Sequence, residues 1–520
     1  MASGRGQGYD AASTARRAYN WQPNRLGPTG NLWTSMDLMR ARCRDEVRNN
    51  PHASSIVDNF EAQIIGTGIR PKWNLPNIAL KTKIEIEFDK WAKSTLCDQH
   101  GISNFYGLQA LLVRELFGGG EAFARLITVP SRFKMRVPLQ IQLIEGEQCP
   151  VWLTFGSIGA GINMPKGNVC RVGVEFDPDN RRVAYQMYTV NPGDTMFFPM
   201  EGLQFMRVLA ADCRHVYKPK LAGQLRGEPP LAPILTLLHE LDKVDDAMVM
   251  RKEIQAMFAG FVTTPAPDVM PLPINDGEIG NFASPPAPPF TPPGVAISKI
   301  ESGSFQALGP GEEITFPTLP QDNDYTAFME YNLHRTAAGV GLTHEILTGN
   351  LKGVNLSSIR AGRLDFQRRM EQFQRNVIIT PFCQPVVERW LNEAVQAGVL
   401  KLPGYDRDPG MYADITWSTP AWPWIDPAKD YEERLGKIRS GMTSRTKVVG
   451  ELGEDINVID AQQATERENA VGLGLVYDSN PNQVLLGRET QPVSVQDEAE
   501  PEDTDEGRKK LGTKEAGKEG

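Results

Sequence analysis

The sequence predicts an α+β protein with more than one domain. Its 520 residues exceed what one hydrophobic core usually organises, and 40% hydrophobic with 23% charged residues is an ordinary globular composition. Helical periodicity dominates residues 33–117, and strand-like alternation follows over 121–217. Residues 325–374 then have the pattern of a helix, a glycine-punctuated loop and a second helix. These three stretches define the predicted organisation.

The N-terminal part of the chain is predicted to be helical after a flexible arm. Residues 1–30 are rich in Gly, Arg, Asn and Pro and predict that arm. The helical pattern of residues 33–66 is interrupted at Pro51 because proline disfavours a helical conformation of the residue before it. Two further helices are predicted over 78–93 and 108–117.

The period then changes to that of strands. Residues 122–127 and 139–144 alternate apolar and polar side chains. The segments 172–176 and 183–188 flank the turn-forming sequence DPDN at 177–180, which predicts a hairpin. Together with the preceding helices, these strands predict an α+β domain.

A long helix and a proline-rich segment follow. Residues 231–261 predict one continuous helix, with leucines at helical spacing on one side. Ten prolines fall between Pro265 and Pro293, which excludes a helix or a central strand there. Composition alone leaves a disordered linker and a compact irregular protrusion equally open, and strand-like residues 295–297 and 314–316 favour the protrusion.

The C-terminal third is predicted to be mainly helical. A second long helix runs from about residue 358 to 397, with Pro381 and Pro385 expected to kink or divide it. Extended structure returns over 405–437, with Asp426 and Pro427 starting a helix, and residues 443–475 have a helical pattern. Seven acidic residues fall within 497–506, so the end of the chain is predicted to be disordered.

Charge, cysteines and hydropathy exclude several classes of protein. A net charge of −9 disfavours tight DNA binding over the whole surface but is compatible with DNA sliding past an acidic wall.

The six cysteines include no C-x-x-C pair, which predicts reduced, buried thiols and no zinc site. No run approaches the ~20 apolar residues of a membrane span, and the N-terminus lacks the apolar region of a signal peptide.

Motifs of common enzymes are missing. The chain has no G-x-x-x-x-G-K-[ST] loop and no G-x-S-x-G elbow. The glycines at 118–120 precede a predicted strand and not a helix, so they do not predict a phosphate cradle. His344 and Glu345 do not continue into H-E-x-x-H. We therefore predict no catalytic residues, no metal site and no cofactor.

A series of short motifs runs in order along the chain. The motifs are RNNP at 48–51, IGTGIRP at 65–71, RELF at 114–117 running into GEA at 120–122, QLIE at 142–145, GVEFD at 173–177 with VAY at 183–185, HVY at 215–217 with GQLRG at 223–227, AAGVGL at 337–342 with NLSS at 355–358, and WIDP at 424–427 with SGM at 440–442. Each motif is weak by itself, and the ordered set, spanning about residues 8–470, is specific. In this set the chain resembles the lambda-type portal proteins of tailed bacteriophages or of a prophage.

The resemblance implies a ring, usually of twelve subunits, at the unique vertex of a viral capsid. Double-stranded DNA would enter and leave through the central channel. The ring would dock the terminase large subunit, and later head-completion and tail-connector proteins, and would contact the major capsid and scaffold proteins. The implied location is the virion, with assembly in the host cytoplasm and no membrane association.

The resemblance also implies a domain order. The expected parts are a flexible arm at 1–30, an α+β wing at 31–225, a stem helix at 226–262, a proline-rich clip at 263–321, a second stem helix at 322–340, a tunnel-loop region at 341–357, a long wing and crown helix with return strands at 358–437, crown helices at 438–475 and a disordered charged tail at 476–520. Since the clip of the family is folded, the resemblance favours a protrusion over a linker.

Two sets of site residues follow from the resemblance. The channel-lining loop is Gly349, Asn350, Leu351, Lys352, Gly353, Val354 and Asn355. The docking residues in the clip are Pro285, Pro286, Pro288, Pro289 and Phe290. Lys352 is the one charged residue of the loop, so it is predicted to touch phosphate; the alternative is that it only solvates the loop.

Two other functions remain open at this point. The first is a non-viral ring or adaptor scaffold that uses the proline-rich segment for partner binding. The second is an enzyme fused to capsid machinery, which would need a cluster of carboxylates or a nucleophile that the sequence does not offer.

Overall fold

The structure is a computed structural model that describes residues 23–154, 164–194, 204–257, 261–263, 313–315, 324–352, 356–420, 422, 427–451, 456–475, 483–486 and 489–492. The chain forms two compact units, Met1–Ile425 and Asp426–Gly520.

The first unit mixes helices and sheets, as the sequence predicts. Its described helices are α1 (Pro28–Asn49), α2 (Pro51–Ile64), α3 (Ile78–Ala92), α4 (Phe105–Gly119), α5 (Leu235–Met257), α6 (Tyr325–Val340), α7 (His344–Thr348), α8 (Leu356–Phe373) and α9 (Gln384–Gln396), with a π-helical segment at Gln374–Cys383. Its described strands are β1 (Arg70–Trp73), β2 (Glu121–Thr128), β3 (Leu139–Glu145), β4 (Val169–Arg171), β5 (Val174–Phe176), β6 (Arg182–Tyr188), β7 (Phe205–Leu209), β8 (Cys213–Tyr217), β9 (Phe261–Thr263), β10 (Glu313–Thr315) and β11 (Ile415–Ser418).

Asparagine side chains cap the N-termini of several helices. The Asn50 backbone N–H bonds to Glu46 at the end of α1, and its side-chain oxygen accepts from the backbone N–H of His52 at 2.9 Å, inside α2. Pro51 then occupies the first position of α2, where its missing N–H costs nothing. Asn104 caps α4 in the same way. The predicted break at Pro51 is therefore confirmed.

The strands form two main antiparallel sheets. β2 is central in a three-stranded sheet of order β3-β2-β8, and the second sheet has the order β4-β5-β6-β7. β5 and β6 pair on either side of the predicted turn, so the hairpin is confirmed. β1 pairs with β11, so Arg70–Trp73 is hydrogen-bonded to Ile415–Ser418, near the end of the unit.

The main core joins segments that are far apart in sequence. Phe88 of α3 contacts Trp390 of α9 edge to face at 5.1 Å, and Phe105 of α4 stacks with Phe382 at 5.9 Å. Five apolar residues from the second long helical region are buried: Phe366, Met370, Phe373, Val377 and Trp390. The predicted wing at 31–225 therefore shares its core with residues 366–394.

The two prolines of this region divide the helix as expected. Pro381 lies within the π-helical segment and Pro385 in the first turn of α9. Each lacks the N–H that would continue the regular i to i−4 hydrogen bonds. Phe382, which follows Pro381 in the π-helical segment, is buried in the core.

A buried ionic cluster connects α1, β2, β8 and the chain before α5. The Glu121 carboxylate bonds to Arg40 at 2.8 Å, to the guanidinium of Arg226 and to His215 Nε2 at 2.8 Å. All four side chains are essentially inaccessible to solvent. Burial by itself would raise the pKa of Glu121, but Arg226, His215 and Arg40 hold it well below its usual range. Burial lowers the pKa of His215 to about 4 in spite of the carboxylate, so His215 is neutral at pH 7.

The six cysteines are free and buried, as predicted. Burial raises the pKa of Cys43 and of Cys97 to about 12 in each case. Such thiols are protonated at neutral pH and act as small hydrophobic side chains.

The long helix before the proline-rich segment is shorter than predicted. It was expected over 231–261, whereas α5 spans Leu235–Met257 and residues Phe261–Thr263 form β9, paired with β10. An aromatic and two β-branched residues favour a strand over a helix at that position. The pairing joins the two ends of the segment 264–312; the clip residues Pro285, Pro286, Pro288, Pro289 and Phe290 lie outside the described residues.

The second unit contains helices and one strand pair. Its described elements are α10 (Pro427–Arg439), α11 (Arg445–Glu451), α12 (Ile456–Leu473), β12 (Gln483–Leu486) and β13 (Glu489–Pro492). Arg445 of α11 pairs with Asp460 of α12 at 2.8 Å. Within 476–520, the segment predicted to be a disordered tail, the described residues Gln483–Leu486 pair with Glu489–Pro492.

Candidate functional site

The end of α6 is a sharp turn that places the following residues. Gly341 has φ 82°, and its N–H donates to the carbonyl of Ala337 at 2.9 Å. A side chain at this position would be strained at this φ, and its Cβ would lie 2.7 Å from Nη1 of Arg369. That guanidinium donates to the Gly341 carbonyl at 3.2 Å. The chain therefore turns at Gly341, where Arg369 of α8 contacts it.

The short helix α7 connects this turn to the predicted channel loop. Leu347 is buried, and the Asn59 amide of α2 donates to the Ile346 carbonyl at 3.4 Å. α7 ends at Gly349, which has φ 67° and donates its N–H to Glu345 at 2.9 Å. The start of the loop is thus attached to the core by α7.

The described part of the loop, residues 349–352, is exposed and locally hydrogen-bonded. The Thr348 hydroxyl accepts from the N–H of Asn350 at 3.2 Å, and the Asn350 side chain accepts from the N–H of Lys352 at 3.0 Å. Leu351 is 65% exposed and Lys352 is exposed. These hydrogen bonds hold the backbone of residues 349–352, and the loop residues are exposed to solvent. Gly353, Val354 and Asn355 lie outside the described residues.

The same region holds a cluster that the sequence analysis missed. The rings of His334 and His344 stack with centroids 4.0 Å apart, and Glu330 completes a group whose potential ligand atoms lie within 4.8 Å of one another. The spacing of four residues between Glu330 and His334 on a predicted helix was the available signal. His344 could not be added without knowledge of the turn at Gly341.

Two helices carry exposed apolar side chains in this single chain. Tyr325 of α6 donates a hydrogen bond to Asp245 of α5, which joins the two helices. We define the stem patch as four residues on these helices, with their exposed fractions: Val249 (59%), Met250 (63%), Phe328 (48%) and Tyr331 (65%). Large exposed apolar side chains on a helix pair make this surface a candidate for contact with another molecule.

The stretch that contains these features matches a known family. Residues 14–374 match the model of the family described as phage portal protein, lambda family. The chain belongs to the lambda family of phage portal proteins. The match covers more than half of the chain, from the predicted arm to the end of α8, and confirms the resemblance found in the sequence.

Curated portal proteins are similar along most of the chain. The probable portal protein of Halomonas phage phiHAP-1 is 26% identical over 82% of this chain and 79% of its own length. Portal protein B of Escherichia phage lambda is 23% identical over 88% of both chains. The portal protein of Escherichia phage N15 is also 23% identical over 88% of both.

Similar solved structures include chains of gene transfer agent particles. A chain in the neck of an empty particle has a TM-score of 0.43 and 14% identity, covering 81% of this chain and 94% of that chain. A chain in the native virion has a TM-score of 0.42 at the same identity and coverage.

Portal-family membership makes the chain a virion component with a structural role. The matching family is described as one of phage portal proteins. No helix in the described part of the chain is long and apolar enough to cross a membrane.

Proposed function

We propose that the chain forms the closed portal ring of a tailed phage or prophage capsid and that DNA is packaged and ejected through its centre. The observation that carries this proposal is the family match over 14–374, which includes both predicted stem helices and the whole predicted channel loop. A twelve-subunit ring is the expected stoichiometry, and the terminase large subunit, head-completion proteins, and major capsid and scaffold proteins are the expected partners.

The stem patch supports a ring. A cyclic assembly needs two different surfaces on each subunit, so that each copy contacts both neighbours. Exposed apolar side chains on α5 and α6 supply area that would be buried by an adjacent copy. The adaptor alternative has no comparable support, since the portal family match covers the regions on either side of the proline-rich segment.

Charge on α5 supports a channel in which DNA slides. Asp242 and Asp246 are exposed, and the chain as a whole carries a net charge of −9. Acidic surface repels phosphate and creates no sites where DNA would be held. We propose that residues 349–355 line the constriction and that residues 285–290 of the clip contact terminase and connector proteins.

Purified full-length protein is expected to be a closed ring. Negative-stain images should show particles with a central hole, and light scattering should give a mass near twelve copies of the 57.6 kDa chain. A monomer at micromolar concentration would contradict the proposal. Rings of another subunit number would correct the stoichiometry and leave the function in place.

Lys352→Ala is expected to reduce retention of packaged DNA without affecting ring assembly. Lys352 is exposed on a loop whose described part has no side chain in the core, so the substitution leaves packing unchanged. The substitution removes a cation that meets phosphate, and it should weaken the attraction to DNA by about 1 kcal/mol or less, which is up to several-fold, at each subunit.

The measurement is DNA content per particle together with plaque yield. Lys401→Ala, at another exposed lysine, is the matched control and should behave like wild type. Wild-type retention by Lys352→Ala particles would show that Lys352 only solvates the loop.

A further inference from the structure

The junction between α6 and α7 gathers three side chains with metal-ligand chemistry. Glu330 and His334 lie four residues apart on α6 and therefore share one face of the helix. The turn at Gly341 returns the chain so that His344, the first residue of α7, stacks on His334. One potential ligand atom from each residue lies within 4.8 Å of the other two.

A second observation concerns the polar atoms of His344. Its Nδ1 is buried and has no hydrogen-bond partner among the described residues. A buried ring nitrogen without a partner is uncommon, because its desolvation is not compensated. A bound cation on this imidazole would offset that cost, either directly or by reorienting the ring so that both nitrogens find partners.

The donor set suits a first-row transition metal. Two imidazoles and one carboxylate are a common set of three protein ligands for Zn²⁺, with a fourth position left for water. The glutamate at 330 supplies a hard oxygen and a negative charge beside the two rings.

The stacked rings define the movement that binding requires. Their planes are inclined by only 20°, and the lone pair of an imidazole nitrogen lies in the plane of its ring. One ring must therefore rotate before both nitrogens point at the same ion. His334 is exposed on the surface of α6, so its ring can turn towards solvent without displacing core side chains.

We propose that Glu330, His334 and His344 bind one divalent transition-metal ion of the Zn²⁺ class and that the ion locks the α6–α7 junction. α7 leads directly into residues 349–352, so an ion at its first residue restrains the start of the exposed loop. The site is formed within one chain and does not depend on the ring or on DNA.

The test uses full-length protein without a polyhistidine tag, stripped of metal with a chelator. Zn²⁺ binding is measured by calorimetry, and Co²⁺ is added as a spectroscopic probe because its visible absorption reports ligand type and geometry. We expect one ion per chain. His334→Gln and His344→Gln should each weaken binding by roughly ten-fold or more, and Glu330→Gln by a smaller factor.

His100→Gln is the matched control, since His100 is an exposed histidine outside the cluster. It should bind Zn²⁺ and Co²⁺ as wild type does. Circular dichroism confirms that each variant is folded, and His334→Gln is the decisive variant because its side chain is exposed. Failure of wild type to bind either ion at 100-fold excess, or unchanged binding by His334→Gln, would overturn the proposal. A monomeric protein that still bound one ion would refute the ring and support the metal site.

Discussion

Glu121→Gln is expected to destabilise the first unit by about 3–5 kcal/mol, the cost of removing one partner from a buried ion pair. The carboxylate accepts hydrogen bonds from Arg40, Arg226 and the backbone N–H of Gly227, all buried. Glutamine keeps the shape but removes the negative charge. The buried guanidinium of Arg226 then loses its ion-pair partner Glu121, and Arg40 keeps only the longer contact with Glu147 at 3.9 Å. Helix α1, strand β2 and the chain before α5 would lose their common connection.

Urea unfolding followed by near-UV circular dichroism measures the decrease in the free energy of unfolding. Hydrogen exchange of the backbone amides in β2 and β8 shows where the structure is destabilised. Glu240→Gln is the matched control, because Glu240 forms an ion pair with Lys243 at 3.0 Å in which both side chains are well exposed. That control should change stability by less than about 1 kcal/mol. Equal effects of the two substitutions would mean that the buried cluster contributes no more than a surface pair.

Met250→Asp combined with Tyr331→Asp is expected to abolish ring assembly while leaving the subunit folded. Both residues belong to the stem patch and are more than 60% exposed in the single chain, so the folded subunit tolerates polar groups there. In a ring each would be buried against a neighbour, and a fully buried apolar side chain contributes about 1.5–3 kcal/mol. The loss recurs at every interface around the ring, and each new carboxylate adds a desolvation cost.

Light scattering and negative-stain images read out assembly, and a thermal melt checks the fold. Ile102→Asp provides the comparison, since Ile102 is 79% exposed near the start of α4 and lies outside the stem patch. Rings of wild-type mass from the stem-patch variant would show that this patch faces another partner or solvent. A lowered melting temperature of the variant as a subunit would point to a folding defect.

Local elements were predictable wherever short-range chemistry decides the conformation. Asn50 and Pro51 mark the end of α1 and the start of α2 because capping and the missing proline N–H act within one turn of helix. The β5–β6 hairpin followed from its turn residues for the same reason. The predicted C-terminal end of α5, at residue 261, was wrong. The helical periodicity was extended into residues that pair as strand β9.

The candidate site was predictable only in part. The loop at 349–352 was placed by its glycines and by the resemblance to portal proteins, and its described residues are exposed. Its attachment through Asn59 to α2 could not be seen, since the two segments are almost 290 residues apart. Predicting the pairing of His334 with His344 required the direction of the chain after the turn at Gly341, which no local pattern gives.

The sequence by itself determined the fold class, the buried thiols, the positions of most helices and, through the order of its motifs, the portal family. Each of these depends on composition or on residues that are neighbours along the chain. Only the tertiary structure decided that residues 366–394 complete the core of the predicted wing, that Glu121 is shared by Arg40 and Arg226, and that Glu330, His334 and His344 meet. Those contacts join distant segments, and their geometry depends on packing that no local pattern encodes.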